Sequence, residues 1–236
     1  MHQEPQVAEE KRNLKVGRVA APLRGQVLDV LREAILDFHY KPGQRLIERE
    51  LIEEVGVSRT TIREVLRELE AEGLVETVPQ KGAIVVVPTA EKAEELYEVR
   101  SALEQLAVRN FVARASDAQV KRLREASDEF ARTVAEGGDS KTVLKAKDRF
   151  YDALLDGSGN EEIRNTLGGL QARVQMLRAT SMSNPGRTSE VVRELDELVR
   201  AIENGDADTA AAACAFHLDR ARENGIKGLS ELTPDD

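Results

Sequence analysis

The sequence predicts a mainly α-helical protein in two parts: a short part with three helices followed by two strands, and a longer part built only of helices. Apolar residues recur at helical spacing along most of the 236 residues, with Gly, Pro, Asn and Asp at the breaks. Aromatic residues make up only 3% of the chain, and Trp is absent. The core must therefore be aliphatic, which favours packed helices because large sheets prefer aromatic and β-branched residues.

The first helix is predicted to begin at Pro22, after an arm at 1–20 that is expected to be disordered and solvated. The stretch Tyr40-Lys41-Pro42-Gly43 is predicted to stop it, because proline lacks a backbone donor and clashes with the preceding turn. Its inward positions, at helical spacing, are Val27, Leu28, Leu31, Ile35 and Phe38.

A second helix is predicted over 48–55 and is closed by Gly56, because glycine enters the left-handed conformation of a tight turn at little cost. A third helix follows at once. Ser58 is expected to cap it by accepting a backbone N–H, and Gly73 is expected to end it.

Two short strands come next, because 75–78 and 83–87 are apolar and β-branched with the turn Pro79-Gln80-Lys81-Gly82 between them. Helix, tight turn, helix, strand, turn and strand is the order of a winged helix-turn-helix. That fold reads DNA.

The chain beyond a hinge at Pro88 is predicted to be helical. Its breakers contain Gly, Asn, Pro, Ser or Asp. The helices are placed at about 90–114, 117–136, 140–156, 160–182, 188–204 and 206–224. The predicted domains are a winged helix-turn-helix at 21–88 and a helical domain at 89–229, with a flexible tail at 230–236.

Bulk properties restrict the function classes. The net charge of −9 argues at first against a polyanionic partner, but residues 1–88 hold 13 Lys and Arg against 15 Asp and Glu, and local field matters more than total charge. The single cysteine, Cys214, rules out an internal disulfide and is expected to be buried. No apolar run approaches a membrane span and no signal peptide is evident, which predicts a cytoplasmic protein.

The third helix carries two faces. Its apolar face is Ile62, Val65, Leu66 and Leu69, which are predicted to pack inward. A stripe of Arg59, Arg63 and Arg67 is either a solvated face paired with nearby glutamates or a DNA contact. The position of Arg59 and Arg63 favours DNA contact, since the start of a recognition helix enters the major groove and Arg can bind guanine through two hydrogen bonds.

Smaller polar residues complete the predicted DNA surface. Short hydroxyls at the start of the third helix suit phosphate contacts, and the turn between the strands offers a cation and a residue small enough for the minor groove. These residues are Ser58, Thr60, Thr61, Lys81 and Gly82.

Four motifs in residues 21–87 point to one family. They are Leu-Ile-Glu-Arg-Glu-Leu at 46–51, Val-Ser-Arg-Thr-Thr-Ile-Arg-Glu-Val-Leu at 57–66, Leu-Glu-Ala-Glu-Gly-Leu-Val at 69–75 and Lys-Gly-Ala at 81–83. In this combination the region resembles the GntR family of bacterial regulators. The resemblance implies DNA contacts by Arg49, Arg59, Thr60, Thr61, Arg63 and Gly82, although many members carry Pro where Thr61 stands.

The helical part is similar to the FCD (FadR C-terminal domain) subfamily. The motifs that carry this similarity are Tyr97-Glu98-Val99-Arg100, Leu103-Glu104, Asp148-Arg149-Phe150-Tyr151, Gly157-Ser158-Gly159-Asn160, Pro185-Gly186-Arg187, Ala-Ile-Glu-Asn-Gly-Asp at 201–206, and His217. The resemblance implies a bundle of six or seven helices that encloses an effector cavity.

Many FCD members hold a divalent metal with one Asp and three His. Here Tyr151 and Leu195 stand where the first two His belong, His217 matches the third, and Lys147 replaces the Asp, with Asp148 one place off. Tyrosine is a poor zinc or nickel ligand and leucine is none, so no metal cofactor is predicted. A site made of Asp148, Asp152 and His217 remains an alternative.

An anionic effector then needs another counter-charge. Arg100 matches a family position that commonly faces the cavity, and arginine binds carboxylate through two bonds. The predicted effector-binding residues are Arg100, Asp148, Tyr151, Arg173, Arg178 and His217. Two alternatives remain: the arginines form structural salt bridges, or the effector is an apolar or acyl molecule.

The sequence therefore predicts a ligand-responsive DNA-binding transcriptional regulator, in the first instance a repressor. It is expected to bind a palindromic operator as a homodimer, with a small carboxylate or acyl effector in the helical domain. An enzyme with a DNA-binding appendage is disfavoured, because no nucleophile elbow, phosphate loop or paired-carboxylate constellation occurs. An architectural DNA-binding protein without an effector is disfavoured by the large helical domain.

Overall fold

The structure, a computed structural model, describes residues 21–37, 39–182, 184 and 186–232. The expected arm at 1–20, Phe38, Pro185 and the tail residues 233–236 lie outside the described residues. The N-terminal part contains α1 (Ala21–Leu36), β1 (Arg45–Leu46), α2 (Glu48–Val55), α3 (Arg59–Ala71), β2 (Val75–Val78) and β3 (Gly82–Val85). This confirms the winged helix-turn-helix.

The turn between α2 and α3 forms as predicted. Gly56 adopts φ 73°, in the left-handed region, and its N–H donates to the Ile52 carbonyl. The Ser58 hydroxyl accepts a hydrogen bond from the Thr61 N–H at 3.2 Å and so caps α3. The apolar face of α3 is buried at Ile62, Val65, Leu66 and Leu69. Burial of this face turns the opposite side of α3 outward.

The sheet has three strands in the described residues, in the order β1-β3-β2, where two were predicted. β1 pairs antiparallel with β3 through Arg45↔Ile84 and Leu46↔Ala83. Two residues are too few to produce an alternating pattern, so the sequence could not indicate this strand. β3 also begins at Gly82 and ends at Val85 rather than running to 87, because β2 begins opposite Val85 and offers no partner beyond it.

The helical part contains α4 (Ala90–Arg114), α5 (Asp117–Ala135), α6 (Ser140–Ser158), α7 (Glu161–Met182), α8 (Arg187–Glu203) and α9 (Ala207–Leu232). The predicted end of the last helix at 224 is wrong, and residues 230–232 of the expected tail belong to α9. The helix continues through Gly225, where an added Cβ would lie 3.1 Å from the Tyr97 hydroxyl oxygen. This close packing outweighs the low helix propensity of glycine. No helix among the described residues is long and apolar enough to cross a bilayer.

Helix α7 connects the two parts of the molecule. Its residues Ala172 and Met176 belong to the apolar core of the winged helix-turn-helix. The next residue, Leu177, packs in a separate cluster with Tyr97 of α4 and Leu229 of α9. A displacement of α7 would therefore be felt in both parts.

Candidate DNA-binding surface and interior polar cluster

The first turns of α3 face outward. Arg59, Thr60 and Arg63 are exposed and Thr61 is half-buried. Ser58 is exposed, but its hydroxyl is held by the Thr61 N–H and lies 2.9 Å from the Thr61 hydroxyl. The arginines of this turn can therefore reach a partner outside the protein, while Ser58 primarily fixes the start of the helix.

The glutamates of α3 are mostly turned away from these arginines. Glu68 of α3 pairs with Arg24 at 3.2 Å, and Glu72, which follows the last residue of α3, pairs with Arg32 at 2.6 Å. Both arginines lie on α1. Arg63 Nε lies 3.6 Å from Glu48 Oε1 of α2, in an exposed pair of the kind that contributes little. Arg59 has no ion pair among the described residues. The alternative, in which the arginine stripe of α3 is paired with nearby glutamates, is therefore disfavoured, because most of those glutamates have other partners.

The turn between β2 and β3 presents a second cationic feature. Lys81 is exposed, and Gly82 adopts φ 84°, where a side chain would be strained. Arg45 of β1 lies beside this turn, with its Nη2 4.0 Å from the point where a Cβ on Gly82 would lie. Arg49, in the first turn of α2, is exposed as well. Sequence reasoning missed Arg45 because its strand could not be predicted.

Polar side chains from five helices meet inside the helical part. They comprise four cations, three carboxylates and one histidine, and all but one are almost fully buried. They are Arg100 and Glu104 of α4, Lys147 and Asp148 of α6, Arg178 of α7, Arg187 and Glu194 of α8, and His217 of α9. These eight residues are called the interior cluster below.

Two arginines of the interior cluster each have one carboxylate partner. Arg100 Nε donates to Glu104 Oε1 at 2.9 Å, one turn along α4. Arg178 Nη1 donates to Asp148 Oδ1 at 2.6 Å, and its guanidinium carbon lies 4.0 Å from the centre of the Tyr151 ring. That distance is typical of a cation–π contact. Together with His217, these contacts bring together five of the six predicted effector-binding residues.

Glu194 joins Arg187 and His217. Arg187 donates to both carboxylate oxygens, through Nη2 to Oε2 at 2.8 Å and through Nη1 to Oε1. His217 Nδ1 lies 2.5 Å from Oε2 and must carry the proton, because an ionised carboxylate can only accept. Burial alone would raise the pKa of Glu194, but the bonds from His217 and Arg187 outweigh it and lower that pKa to about 2. Burial and the nearby Lys147 lower the pKa of His217 to about 4.

Several buried atoms of the interior cluster have no hydrogen-bond partner among the described residues. These atoms are Arg100 Nη1, Arg178 Nε, Arg187 Nε, His217 Nε2 and Glu104 Oε2. Leaving a buried polar atom unpaired costs about 1–3 kcal/mol, and more for charged groups. Such a concentration of unpaired atoms needs an explanation, and a ligand is one.

The prediction for Arg173 is corrected by the structure. Its side chain is exposed on the part of α7 that faces the winged helix-turn-helix, with Cδ 2.9 Å from the position of a Cβ on Gly73. Arg173 and Arg178 lie about one and a half helical turns apart, so their side chains are on different faces of α7. Lys147, Arg187 and Glu194 were not predicted as effector residues, although they complete the cluster. Their burial depends on helix packing, which no local pattern reveals.

The interior cluster does not suit the divalent metal that the FCD resemblance implies. Glu194 and Asp148 are already bound to arginines, and burial raises the pKa of the Tyr151 hydroxyl, which keeps it a neutral, poor ligand. Among the described residues, Asp148, Asp152 and His217 do not form a three-ligand group, and Asp148 is already held by Arg178. No group of three or more His, Cys, Asp or Glu side chains placed to hold a metal occurs in the described part of the chain.

His217 should make the stability of the protein depend on pH. Its folded pKa of about 4 lies below the usual value of 6.5, so the unfolded chain binds a proton first as the pH falls. We expect the free energy of unfolding to decrease from about pH 6.5 downward, and the lowered pKa of Glu194 extends this loss to more acidic pH.

Urea titrations between about pH 7 and about pH 5 measure this dependence. His217→Gln should make this dependence less steep in that interval, and the buried amine of Lys147 should account for part of what remains. His39→Gln, at an exposed histidine, is the control and should keep the wild-type dependence. An unchanged slope in His217→Gln would show that the buried imidazole is not the responsible group.

Comparisons with known proteins place both parts of the chain. Residues 23–85 match the family described as "Bacterial regulatory proteins, gntR family", and residues 95–220 match the "FCD domain". The "Nta operon transcriptional regulator" of Aminobacter aminovorans is 35% identical over 145 residues, covering 61% of this chain and 67% of that protein. The "HTH-type transcriptional repressor RspR" of Escherichia coli (strain K12) is 23% identical over 203 residues, covering 86% and 89%.

A solved structure of a GntR regulator from Rhodococcus sp. RHA1 is similar over 88% of this chain and 99% of that one. Its TM-score is 0.74 at 25% sequence identity. The match therefore extends across the winged helix-turn-helix and the helical part together. The chain belongs to the GntR family of bacterial regulatory proteins, with an FCD domain after its winged helix-turn-helix, and it is a DNA-binding transcriptional regulator and not an enzyme.

Proposed function

We propose that the protein is a ligand-responsive repressor that acts in the cytoplasm and binds a palindromic operator as a homodimer. A twofold dimer matches a roughly palindromic site, because each winged helix-turn-helix docks on one half-site. The repressor role is supported by the name of the Escherichia coli relative. The operator contacts are assigned to Arg49, Ser58, Arg59, Thr60, Thr61, Arg63, Lys81 and Gly82.

The outward first turn of α3 supports this docking. Arg59 and Arg63 are proposed to enter the major groove, where a guanidinium can bind a guanine through two hydrogen bonds. Lys81 and Gly82 are proposed to meet the minor groove, with Arg45 beside them. The hydroxyls of Thr60 and Thr61 are proposed to bind phosphate.

One observation carries the ligand-responsive part of the proposal: buried donors of three arginines in the interior cluster have no hydrogen-bond partner among the residues that the structure describes. A small carboxylate could pair with them, and low local dielectric strengthens such charge-assisted bonds. We therefore place the effector at Arg100, Asp148, Tyr151, Arg178 and His217, and leave out Arg173. A purely acyl effector would leave these donors unpaired, which makes the carboxylate the better choice.

Helix α7 offers a route from effector to DNA. Arg178 belongs to the interior cluster, whereas Ala172 and Met176 on the same helix pack in the core of the winged helix-turn-helix. An effector that binds Arg178 and displaces α7 would also move Ala172 and Met176 in the core of the winged helix-turn-helix. The DNA-binding surface would change its position relative to the helical part, with the hinge near Pro88 as the flexible connection. The expected coupling is about 1–3 kcal/mol, or about 5–150-fold in operator affinity.

Salt dependence tests the proposed DNA surface. We expect the logarithm of operator affinity to fall steeply and linearly with the logarithm of salt concentration, because phosphate contacts release counterions. The variant with Arg59→Ala and Arg63→Ala should show a smaller slope in fluorescence anisotropy. Lys121→Ala, at an exposed lysine of α5, should keep the wild-type slope. An unchanged slope in the double variant would contradict the surface.

A metabolite screen tests the effector. The operator would first be selected from random DNA, and carboxylates would then be screened for thermal stabilisation of the full chain and for release of the operator. We expect at least one carboxylate to change operator affinity by about 5–150-fold. The absence of any hit that changes operator affinity would favour an architectural DNA-binding protein.

A further inference from the structure

Without Lys147, the interior cluster contains three positively charged and three negatively charged side chains. The other cations are Arg100, Arg178 and Arg187, and each has a carboxylate partner: Glu104, Asp148 and Glu194. His217 donates to Glu194 and is neutral at physiological pH, because burial lowers its pKa to about 4. Each carboxylate is therefore already paired with an arginine, and a charged Lys147 would add one positive charge that no carboxylate of the cluster balances.

Lys147 itself is almost fully buried and has no hydrogen bond or ion pair within the described part of the chain. Burying an unpaired ammonium is costly, so the side chain either loses its proton or gains a partner. Its burial and the three nearby arginines act in one direction and lower the pKa of Lys147 well below its usual value. Without a ligand, burial of the side chain away from any described carboxylate partner favours the neutral amine.

No partner for Lys147 lies in the described part of the chain, so a bound ligand would have to supply one. The unpaired Arg100 Nη1 and Arg178 Nε belong to the two arginines that lower its pKa most. Both donors therefore belong to the same buried group of cations as the amine. One bound monocarboxylate and one proton would leave the cluster without net charge, with every cation matched by an anion.

We propose that the interior cluster is a metal-independent receptor for a small monocarboxylate, in which Lys147 takes up a proton on binding and provides the counter-charge. The inference rests on the proposed function, since the bound anion is the effector. It also accounts for a lysine at the position where the family resemblance implies a metal-binding Asp. A lysine and a divalent cation would repel each other there, whereas either can neutralise a carboxylate.

The sign of the pH dependence follows from the proton uptake. Because the complex binds one more proton than the free protein, affinity should rise as the pH falls while Lys147 is neutral in the free protein. The groups that interact electrostatically with Lys147 are Arg100 of α4, Arg178 of α7, Arg187 and Glu194 of α8, and His217 of α9. The other titratable groups near these arginines are Tyr97 and Glu104 of α4, Asp148 and Tyr151 of α6, and Cys214 of α9. At about pH 8 the histidine is neutral in both states, so Lys147 is the group that changes.

The experiment uses the full chain, dialysed against EDTA, and calorimetric titration with acetate, propionate and butyrate. Each titration is repeated in HEPES and in Tris, whose protonation enthalpies differ, at about pH 8. We expect binding of at least one of these anions in EDTA, with uptake of about one proton per anion. Lys147→Met should weaken binding by about tenfold or more and abolish the proton uptake, since a charge-assisted bond is lost.

Lys145→Met is the matched control, because Lys145 lies on the same helix but is exposed. It should bind like the wild type. Lys147→Met should unfold at a urea concentration at least as high as the wild type, so weaker binding cannot be ascribed to a damaged fold. The inference is overturned if no probe binds in EDTA, if binding appears only after Zn²⁺ or Mn²⁺ is added, or if Lys147→Met binds normally.

These results separate the inference from the proposed function. Binding with proton uptake but without any change in operator affinity would contradict the ligand-responsive function and support the inference that the interior cluster is a carboxylate receptor. Release of the operator by a carboxylate that needs a divalent metal, or that does not depend on Lys147, would leave the function intact and overturn the receptor.

Discussion

Glu194→Gln is expected to destabilise the protein by about 3–5 kcal/mol, because breaking a buried ion pair removes the one buried carboxylate that faces the remaining charge. Arg187, the partner in question, is only 1% exposed. The substitution also weakens the acceptor that holds His217 Nδ1. The free energy of unfolding from urea titration at neutral pH, followed by circular dichroism, measures the loss.

Glu190→Gln is the matched control for this prediction. Glu190 contacts the same Arg187 at 3.2 Å, but its side chain is 39% exposed. Water can replace it, so a loss below about 1 kcal/mol is expected. Equal losses in the two variants would mean that burial of Glu194 does not decide the energy of the interior cluster.

Arg59→Ala is expected to weaken binding to the selected operator by about 1–3 kcal/mol and to relax its sequence preference, if this side chain reads a base. Arg59 is exposed in the first turn of α3 and has no competing ion pair among the described residues. Fluorescence anisotropy with the operator and with random duplex DNA gives both quantities. The unfolding free energy should hardly change, because the side chain is in solvent.

Arg67→Ala serves as the control on the same helix face, two turns further from the end that enters the groove. It should cost less than Arg59→Ala on the operator. If Arg59→Ala weakens operator and random DNA equally, Arg59 contacts phosphate rather than a base. If it weakens neither, the proposed docking of α3 is incorrect.

The winged helix-turn-helix was predictable because its signals are local. Gly56 and Ser58 specify a turn and a cap within a few residues, and the apolar spacing of α3 fixes which side faces the core. The outward direction of Arg59 and Arg63 follows from that spacing. By contrast, β1 is too short to leave a pattern, and the end of α9 depends on the contact of Gly225 with Tyr97, a distant residue in the chain.

The candidate effector site was predictable only in part. Arg100 and His217 were found through the family motifs, and they do lie in the interior cluster. Arg173 and Arg178 were equivalent in the sequence, as two arginines on one helix. Packing separates them, because α7 faces the winged helix-turn-helix at Arg173 and the interior cluster at Arg178.

The sequence by itself therefore determined the helix-turn-helix with its wing, the family, and the replacement of expected metal ligands by Tyr151, Leu195 and Lys147. Only the tertiary structure decided which charges are buried together and which buried atoms lack partners. The physical reason is that helical periodicity depends on residues three and four apart in the sequence. The desolvation of Lys147 or Arg187 depends instead on the packing of five helices that are distant from one another along the chain.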